Sequence, residues 1–282
     1  MNKIFRWYYR FSNRAKKSLM ISATSVGMLS TILSILGISL EDFKIAKIWI
    51  RGIIVISLFV LLFCVVYTAI GIIYKKSINT KIRNTPISIC CGDIFKISGL
   101  RVIGCDTHFD TRIDDIVIAK KSLHGKLFVE HGETDEIKMA VESEANRLGL
   151  QKNSMGLYDF PLGTIIRYNS SVDNNTYLLL AMIRLNDQFE AHTNMAEFEY
   201  MLMRMWKEID RVYACREVVL PLLGTGISRF DDGPKQKRAL LRCMLCTLNS
   251  SGVTLNSTVK IVLYGDNNDI PLYEYKDIYK QV

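Results

Sequence analysis

Two stretches near the start of the chain carry no charged side chain, Leu19 to Leu40 and Gly52 to Tyr74. At about 1.5 Å of rise per residue each reaches roughly 33 Å, enough for the ~30 Å hydrocarbon core of a bilayer. Neither has a polar face, so the pattern predicts two membrane-spanning helices joined by a short polar turn from Glu41 to Lys47. The first stretch is too long for a cleaved leader, and no small-residue cleavage pattern follows it. It is also less apolar than the second, with Ser22, Thr24, Ser25, Gly27, Ser30, Thr31, Ser34 and Gly37 along it. Small residues at such spacings let helices approach closely. Packing within the hairpin and assembly between chains both fit that pattern.

Beyond a polar stretch from Ser77 to Pro86, read as a linker, the periodicity changes. Short apolar runs predict strands at Ile87–Cys91, Leu100–Gly104, Thr164–Tyr168, Tyr177–Leu185, Val218–Leu220 and Val259–Tyr264. A polar loop is expected over Cys105–Asp115 and a turn at Ser122-Leu123-His124-Gly125-Lys126. Helical spacing appears over Glu133–Leu148, with Ile137, Ala140, Val141 and Ala145 on one face. It recurs over Ala196–Tyr213, where Phe198, Met201, Leu202, Met205, Ile209 and Val212 form a stripe. A last helix is expected from about Pro234 to Leu248, with Pro234 at its first position. Strands alternating with helices predict an α/β domain, its mixed sheet covered on both faces. The chain divides into an N-terminal arm and hairpin, residues 1–85, and one domain, residues 86–282.

Charge sharpens the division. From Met1 to Arg83 there are 13 lysines and arginines against Glu41 and Asp42, a net of +11. The residues from Asn84 on therefore hold −3 of the chain's +8. A mildly acidic domain is not a nucleic-acid reader, which would bring its own basic face. Six basic residues precede the first span, and Lys75, Lys76, Lys81 and Arg83 follow the second. The connection has Lys44, Lys47 and Arg51, partly balanced by acids, so both termini are expected in the cytoplasm. Aromatics among the basic residues before Lys17 suit the lipid interface better than bases of RNA. The seven cysteines show no paired metal-ligand spacing, since Cys243 and Cys246 stand without a second pair. Reduced thiols in the cytosol fit this usage. His108, His131 and His192 form no metal or nucleophile set, and neither a nucleophile elbow nor a P-loop lysine is present.

The most informative stretch is Val218-Val219-Leu220-Pro221-Leu222-Leu223-Gly224-Thr225-Gly226-Ile227-Ser228-Arg229-Phe230. A buried strand there delivers a tight glycine turn. Consecutive N–H groups in such a turn make a concave anion site, and glycine lets a ligand approach the backbone. An ordinary strand–turn–helix connection has the same pattern.

With Gly92-Asp93-Ile94 after the first core strand and Pro161-Leu162-Gly163-Thr164 before a later one, the domain resembles a macro domain, a three-layer α/β/α module that binds ADP-ribose and related nucleotides. The resemblance covers roughly Ile87 to Lys276. The Ser122-Leu123-His124-Gly125 turn and the two-span prefix look closest to membrane-tethered macro-domain effectors of bacterial anti-phage defence, the Thoeris type, whose partner is a TIR-domain enzyme. The resemblance implies that Asp93 accepts from an adenine amino group beside Ile94. It implies that Gly224, Thr225, Gly226 and Ile227 line a diphosphate, with Leu223 and Ser228 also among the ligand-binding residues, and that Phe230 stacks on the distal sugar or its substituent. Arg229 either reaches phosphate or pairs with Asp231 and Asp232, and His124 either contacts ligand or is structural. Hydrolytic members carry an Asn-Ala-Ala-Asn stretch and a glycine-rich first loop. Here Val102-Ile103-Gly104-Cys105-Asp106-Thr107-His108-Phe109 stands instead, which favours a sensor over a hydrolase and leaves the part of Asp106 open.

The expectation is a non-enzymatic effector in the bacterial inner membrane, without cofactor or metal. Its domain would bind an ADP-ribose derivative, histidine-ADP-ribose by the resemblance, made by a TIR partner. Binding would drive homo-oligomerisation and disrupt the membrane lipid, with cell death or growth arrest as the outcome. A membrane-anchored ADP-ribosyl hydrolase and a passive nucleotide-binding anchor are the competing readings.

Overall fold

The computed structural model describes residues 13–35, 48–73, 77–112, 118–185, 191–226, 229–231, 233–264, 272–275 and 278. The chain falls into two compact units, a helical one built on the residues up to Lys76 and an α/β one from Ser77 to Gly265.

The first unit holds helices α1 (Asn13–Ile35) and α2 (Ile48–Ile73). Their apolar segments, Ala15–Ile35 and Gly52–Ile70, are long and apolar enough to cross a membrane. Side chains such as Leu29, Ile53, Leu58 and Leu61 face outward, as a lipid solvent requires. The Thr24 hydroxyl donates to the Met20 carbonyl at 2.8 Å and Thr31 to Gly27 at 2.9 Å, so these groups are satisfied within their own helix. A Cβ placed on Gly27 would meet nothing within 4 Å, so this small-residue position is not used between the two helices. The expected basic arm before Asn13 and the Glu41–Lys47 turn lie outside the described residues.

The second unit is organised on nine strands: β1 (Ser77–Ile82), β2 (Thr85–Gly92), β3 (Leu100–Asp106), β4 (Ile165–Asn169), β5 (Thr176–Leu185), β6 (Ala191–Thr193), β7 (Val218–Pro221), β8 (Arg229–Phe230) and β9 (Val259–Tyr264). They run in the order β1-β2-β9-β7-β3-β5-β6-β8, with β4 pairing β5 from beside that path. β2, β9, β7, β3 and β5 are parallel; β1 and β4 pair antiparallel with their neighbours. The helices are α3 (Leu123–Lys126), which widens into a π-turn over Leu127–His131, then α4 (Thr134–Leu148), α5 (Met195–Val212) and α6 (Lys237–Ser251).

The two-residue period of the strands sorts the core into two layers. One face presents Ile103, Cys105, Ile166, Tyr168, Tyr177, Leu179, Ala181, Val219 and Val262, packed with Leu127, Phe128, Ile137, Val141 and Ala145 of the α3–α4 region. The alternate residues, among them Val102, Leu178, Leu180, Val218, Leu220 and Ile261, are fully buried on the other face. There the stripe of α5 and the apolar side of α6 are buried as well, and the Trp206 indole N–H donates to Thr247 at 3.2 Å between those two helices. Met201 and Met205 are fully buried in this layer.

Three expectations need correction. Ser77–Pro86 is not a linker: β1 pairs with β2 in a hairpin whose turn places Arg83 at φ 51°, with Ile78 and Ile82 buried. The polar loop begins only after Asp106, because Cys105 and Asp106 continue β3 across a register shift against β5. Its part at 113–117 lies outside the described residues. The last helix starts at Lys237 after an extended Gln236, so Pro234 precedes the helix.

Candidate functional site

In a parallel sheet, ligands bind in the crevice outside the carboxyl ends of the strands. Here those ends are Gly92 on β2, Asp106 on β3, Pro221 on β7 and Tyr264 on β9. Every sequence-predicted residue follows one of these ends or, in the case of His124, sits on α3.

At the β2 end, Asp93 caps a single 3-10 turn over Ile94–Lys96, its carboxylate accepting from the Phe95 N–H at 3.1 Å. Asp93 itself is half-buried, while the Ile94 side chain is in the core and leaves only its main chain for a ligand. Gly92 pairs with Tyr264 across the β2–β9 ladder. Tyr264 is 73% exposed, with the Lys126 ammonium 5.8 Å from its ring centre. An exposed ring beside a carboxylate that can accept from an amino group suits a purine base, by stacking and by hydrogen bonding together. Tyr264 and Lys126 escaped the sequence reading; the available signal was an aromatic residue closing the last strand.

Two strands away, the glycine turn leaves β7. The Leu222 N–H bonds to the Val262 carbonyl at 2.9 Å, and the Thr225 hydroxyl closes the turn onto the Leu222 carbonyl at 2.8 Å. Leu222 and Leu223 are buried and anchor it, whereas Thr225 and Gly226 are exposed. Gly224 has φ +79°, and a Cβ there would press on Leu240 and Phe198 at 3.1 and 3.4 Å, so the turn needs glycine at this position. Nothing crowds Gly226, whose backbone is open to approach. From β2 across β9 to β7 is two strand spacings, about 9–10 Å, comparable to the distance from a base to its diphosphate.

Ile227, Ser228 and the Arg229 side chain lie outside the described residues, as does Asp232. The Arg229 main chain pairs with His192 in β8, and Asp231 meets the His192 ring at 3.4 Å. Phe230 is 5% exposed, packed edge-on against Phe198 with centroids 5.6 Å apart and the Lys235 ammonium 5.7 Å from its ring. The ring is thus packed between Phe198 and the Lys235 ammonium.

At the β3 end a polar cluster is buried. Asp106 is 4% exposed; its carboxylate turns back to accept from the His108 N–H at 2.7 Å and, at 3.3 Å, from the Asp110 N–H. Burial raises its pKa. Burial also pushes Asp110 upward, but the Arg112 guanidinium and N–H outweigh it and hold that carboxyl below its ordinary value. His108 donates from Nδ1 to the Tyr158 carbonyl at 2.8 Å. His124 is 7% exposed against Phe128, and desolvation lowers its pKa from 6.5 to about 4, with Asp110 partly offsetting. Its Nε2 and the Thr107 hydroxyl have no hydrogen-bond partner among the described residues. The histidine is therefore a neutral, buried group. Among the described residues, no three His, Cys, Asp or Glu side chains gather as a metal site.

This histidine makes stability depend on pH with a definite sign. Its folded-state pKa is depressed, so its contribution is present above about pH 6.5 and is lost as the pH falls toward 4. The expected loss by pH 4 is about 3 kcal/mol. Thermal unfolding between pH 7 and 4 should show a steeper decline for the native chain than for His124→Asn, which cannot titrate. Parallel curves would refute the buried neutral assignment.

A mixed sheet covered by helices on both faces, with an open glycine turn and an acidic cap two strands apart at the same end of the sheet, is the architecture of a macro domain. The chain belongs to the family described as Thoeris protein ThsA, macro domain, which matches residues 87–264. It is 28% identical over 221 residues to the Thoeris protein ThsA of Bacillus amyloliquefaciens (strain Y2), covering 75% of this chain and 73% of that one. Among solved structures, a mutant of the Oceanobacillus iheyensis macrodomain is similar with a TM-score of 0.50 and 14% identity, covering 73% of this chain and 95% of that one. The same macrodomain with ADP matches at a TM-score of 0.47 and 15% identity, covering 73% and 93%.

Proposed function

We propose that this protein is an anti-phage effector of Thoeris defence, whose macro domain senses an ADP-ribose-type signal on behalf of its membrane helices. The observation that carries the reading is the exposed Thr225–Gly226 backbone two strands from the Asp93 carboxylate, in a domain of the ThsA macro family. Asp93 and Tyr264 hold the adenine, the Gly224–Gly226 turn holds the diphosphate, and the far end of the ligand lies toward Asp106, Thr107 and His124. The resemblance drawn from the sequence implies a histidine conjugate of ADP-ribose, supplied by a TIR-domain enzyme. Asp106 is engaged by the main-chain N–H groups of His108 and Asp110, an arrangement that favours holding a ligand over cleaving it.

In this reading both termini are cytoplasmic, and ligand favours an assembled state in which α1 and α2 of several chains perturb the bilayer. The ligand must bind that state more tightly, since equal affinity for two states shifts nothing.

Calorimetry of the full chain in detergent with ADP-ribose tests the sensor. Asp93→Ala should weaken binding roughly tenfold or more, the cost of a hydrogen bond to a charged group. Asp93→Asn keeps an oxygen for the Phe95 N–H, so it separates loss of the base contact from loss of the cap. Dye release from proteoliposomes on adding ADP-ribose or its histidine conjugate tests the effector. Tight binding without release would leave a passive anchor, and appearance of free ADP-ribose from the conjugate would make the protein a hydrolase.

A further inference from the structure

Arg101 occupies an unusual place. It lies on β3 between Leu100 and Val102, and it is only 5% exposed. Burying a guanidinium is costly unless its donors find partners. One of its donors, Nη1, is buried with no hydrogen-bond partner among the described residues, a cost of about 1–3 kcal/mol. What arginine adds is the Nε–H, which donates at 3.1 Å to the Ile94 carbonyl and at 3.1 Å to the Ile97 carbonyl. These carbonyls belong to the turn that Asp93 caps, where the Lys96 and Ile97 N–H groups close onto Asp93 and Ile94.

A second set of contacts fastens the same turn from the other side. The Arg101 guanidinium sits 5.8 Å from the Tyr177 ring centre. The Tyr177 hydroxyl donates to Asp173 at 2.6 Å, and His131 Nδ1 meets the same carboxylate oxygen at 3.2 Å. His131 in turn stacks on Phe95, with centroids 4.4 Å apart and planes 13° from parallel. The contacts close a circuit from Phe95 through His131, Asp173, Tyr177 and Arg101 back to Ile94 and Ile97. It holds the turn by its carbonyls and by its one aromatic side chain, with the half-buried Asp93 carboxylate at the head of the turn.

We infer that Arg101 is a positioning residue for nucleotide recognition, fixing the Asp93 turn in the shape that reads the base, with the Phe95–His131 stack as its second fastening. The inference rests on the nucleotide reading of the site. Arg101 touches no ligand; it sets where Asp93 points. A positioning role predicts loss of discrimination between bases, which a merely structural role would not produce.

The test measures, for the full chain in detergent, affinity for ADP-ribose and for inosine diphosphate ribose, in which a ring carbonyl replaces the amino group. The native chain should prefer ADP-ribose. Arg101→Met should weaken ADP-ribose binding about tenfold and bring the ratio of the two affinities close to one. Arg101→Lys should fall between, and Phe95→Leu should lower the ratio while adding no buried polar group. A folded Arg101→Met or Phe95→Leu chain with the native ratio would overturn the inference. If Arg101→Met does not fold, Phe95→Leu decides. A native chain that binds neither nucleotide overturns the site reading itself, and the positioning role with it; a native chain that binds both equally removes the base contact.

Discussion

A Gly125→Ala chain is expected to be destabilised by about 3 kcal/mol, lowering the melting temperature of the domain by roughly 6–12 °C. The reason is a close approach of main chain to main chain. A Cβ at position 125 would run into the Ala119 carbonyl oxygen and come within 2.8 Å of Lys120 Cα. That carbonyl cannot retreat, because it accepts from both the N–H and the hydroxyl of Ser122, at 2.9 and 2.7 Å. Ser122 then accepts from the Gly125 N–H at 2.9 Å, closing the turn on itself. Opening it shifts His124, so ligand affinity should fall even at temperatures where the chain stays folded. Ser122→Ala, which removes only the cap, should cost about 1 kcal/mol. Thermal unfolding with calorimetry on both variants checks this, and a native melting curve for Gly125→Ala would refute the described turn.

Trp206→Ala should cost about 3–5 kcal/mol, the range for emptying a large aromatic site in a packed core. Trp206 is fully buried between α5 and α6. The hydroxyl it bonds, on Thr247, also donates to carbonyls of its own helix, Cys243 at 2.8 Å and Met244 at 3.0 Å. Removing the indole therefore creates a cavity but does not strand the hydroxyl, and Trp206→Phe should cost much less. The effect should reach the ligand, since Phe198 of α5 and Leu240 of α6 are the side chains that back the Gly224 turn. Denaturant unfolding of the three chains separates the cases; equal midpoints for Ala and Phe would mean that cavity volume is not what matters there.

Much of this architecture was legible in the chain. Uncharged runs marked the two long helices, since a segment of that length without a polar face suits lipid rather than water on all sides. The α5 stripe and the strands β3, β5, β7 and β9 were visible because each buries a regular set of side chains. The glycine turn was visible because Gly224 and Gly226 interrupt an apolar run. What escaped depends on partners distant in sequence. β1 alternates only weakly, with Asn79, Thr80 and Lys81 between its two buried isoleucines, so it read as a linker. β6 and β8 are too short for any period and exist through their pairing. The burial of Arg101 was hidden because a charged residue reads as surface, and only the fold reveals the carbonyls waiting for it. The edge contact of Phe230 with Phe198 was equally hidden, since the two residues are 32 positions apart in the chain.

The stretch from 222 to 228 leaves one strand, β7, and enters another, β8, so both of its ends are fastened by ladders, to β9 and to β6. Its described part, residues 222–226, is held in one shape before any ligand arrives by the Leu222 N–H on the Val262 carbonyl and the Thr225 hydroxyl on the Leu222 carbonyl. Ordering a free segment costs about 1–2 kcal/mol per residue in backbone entropy, and affinity is what remains after such costs are met. In the proposed reading, these internal bonds of the turn thus let a modest number of main-chain contacts at Gly224–Gly226 suffice for recognition.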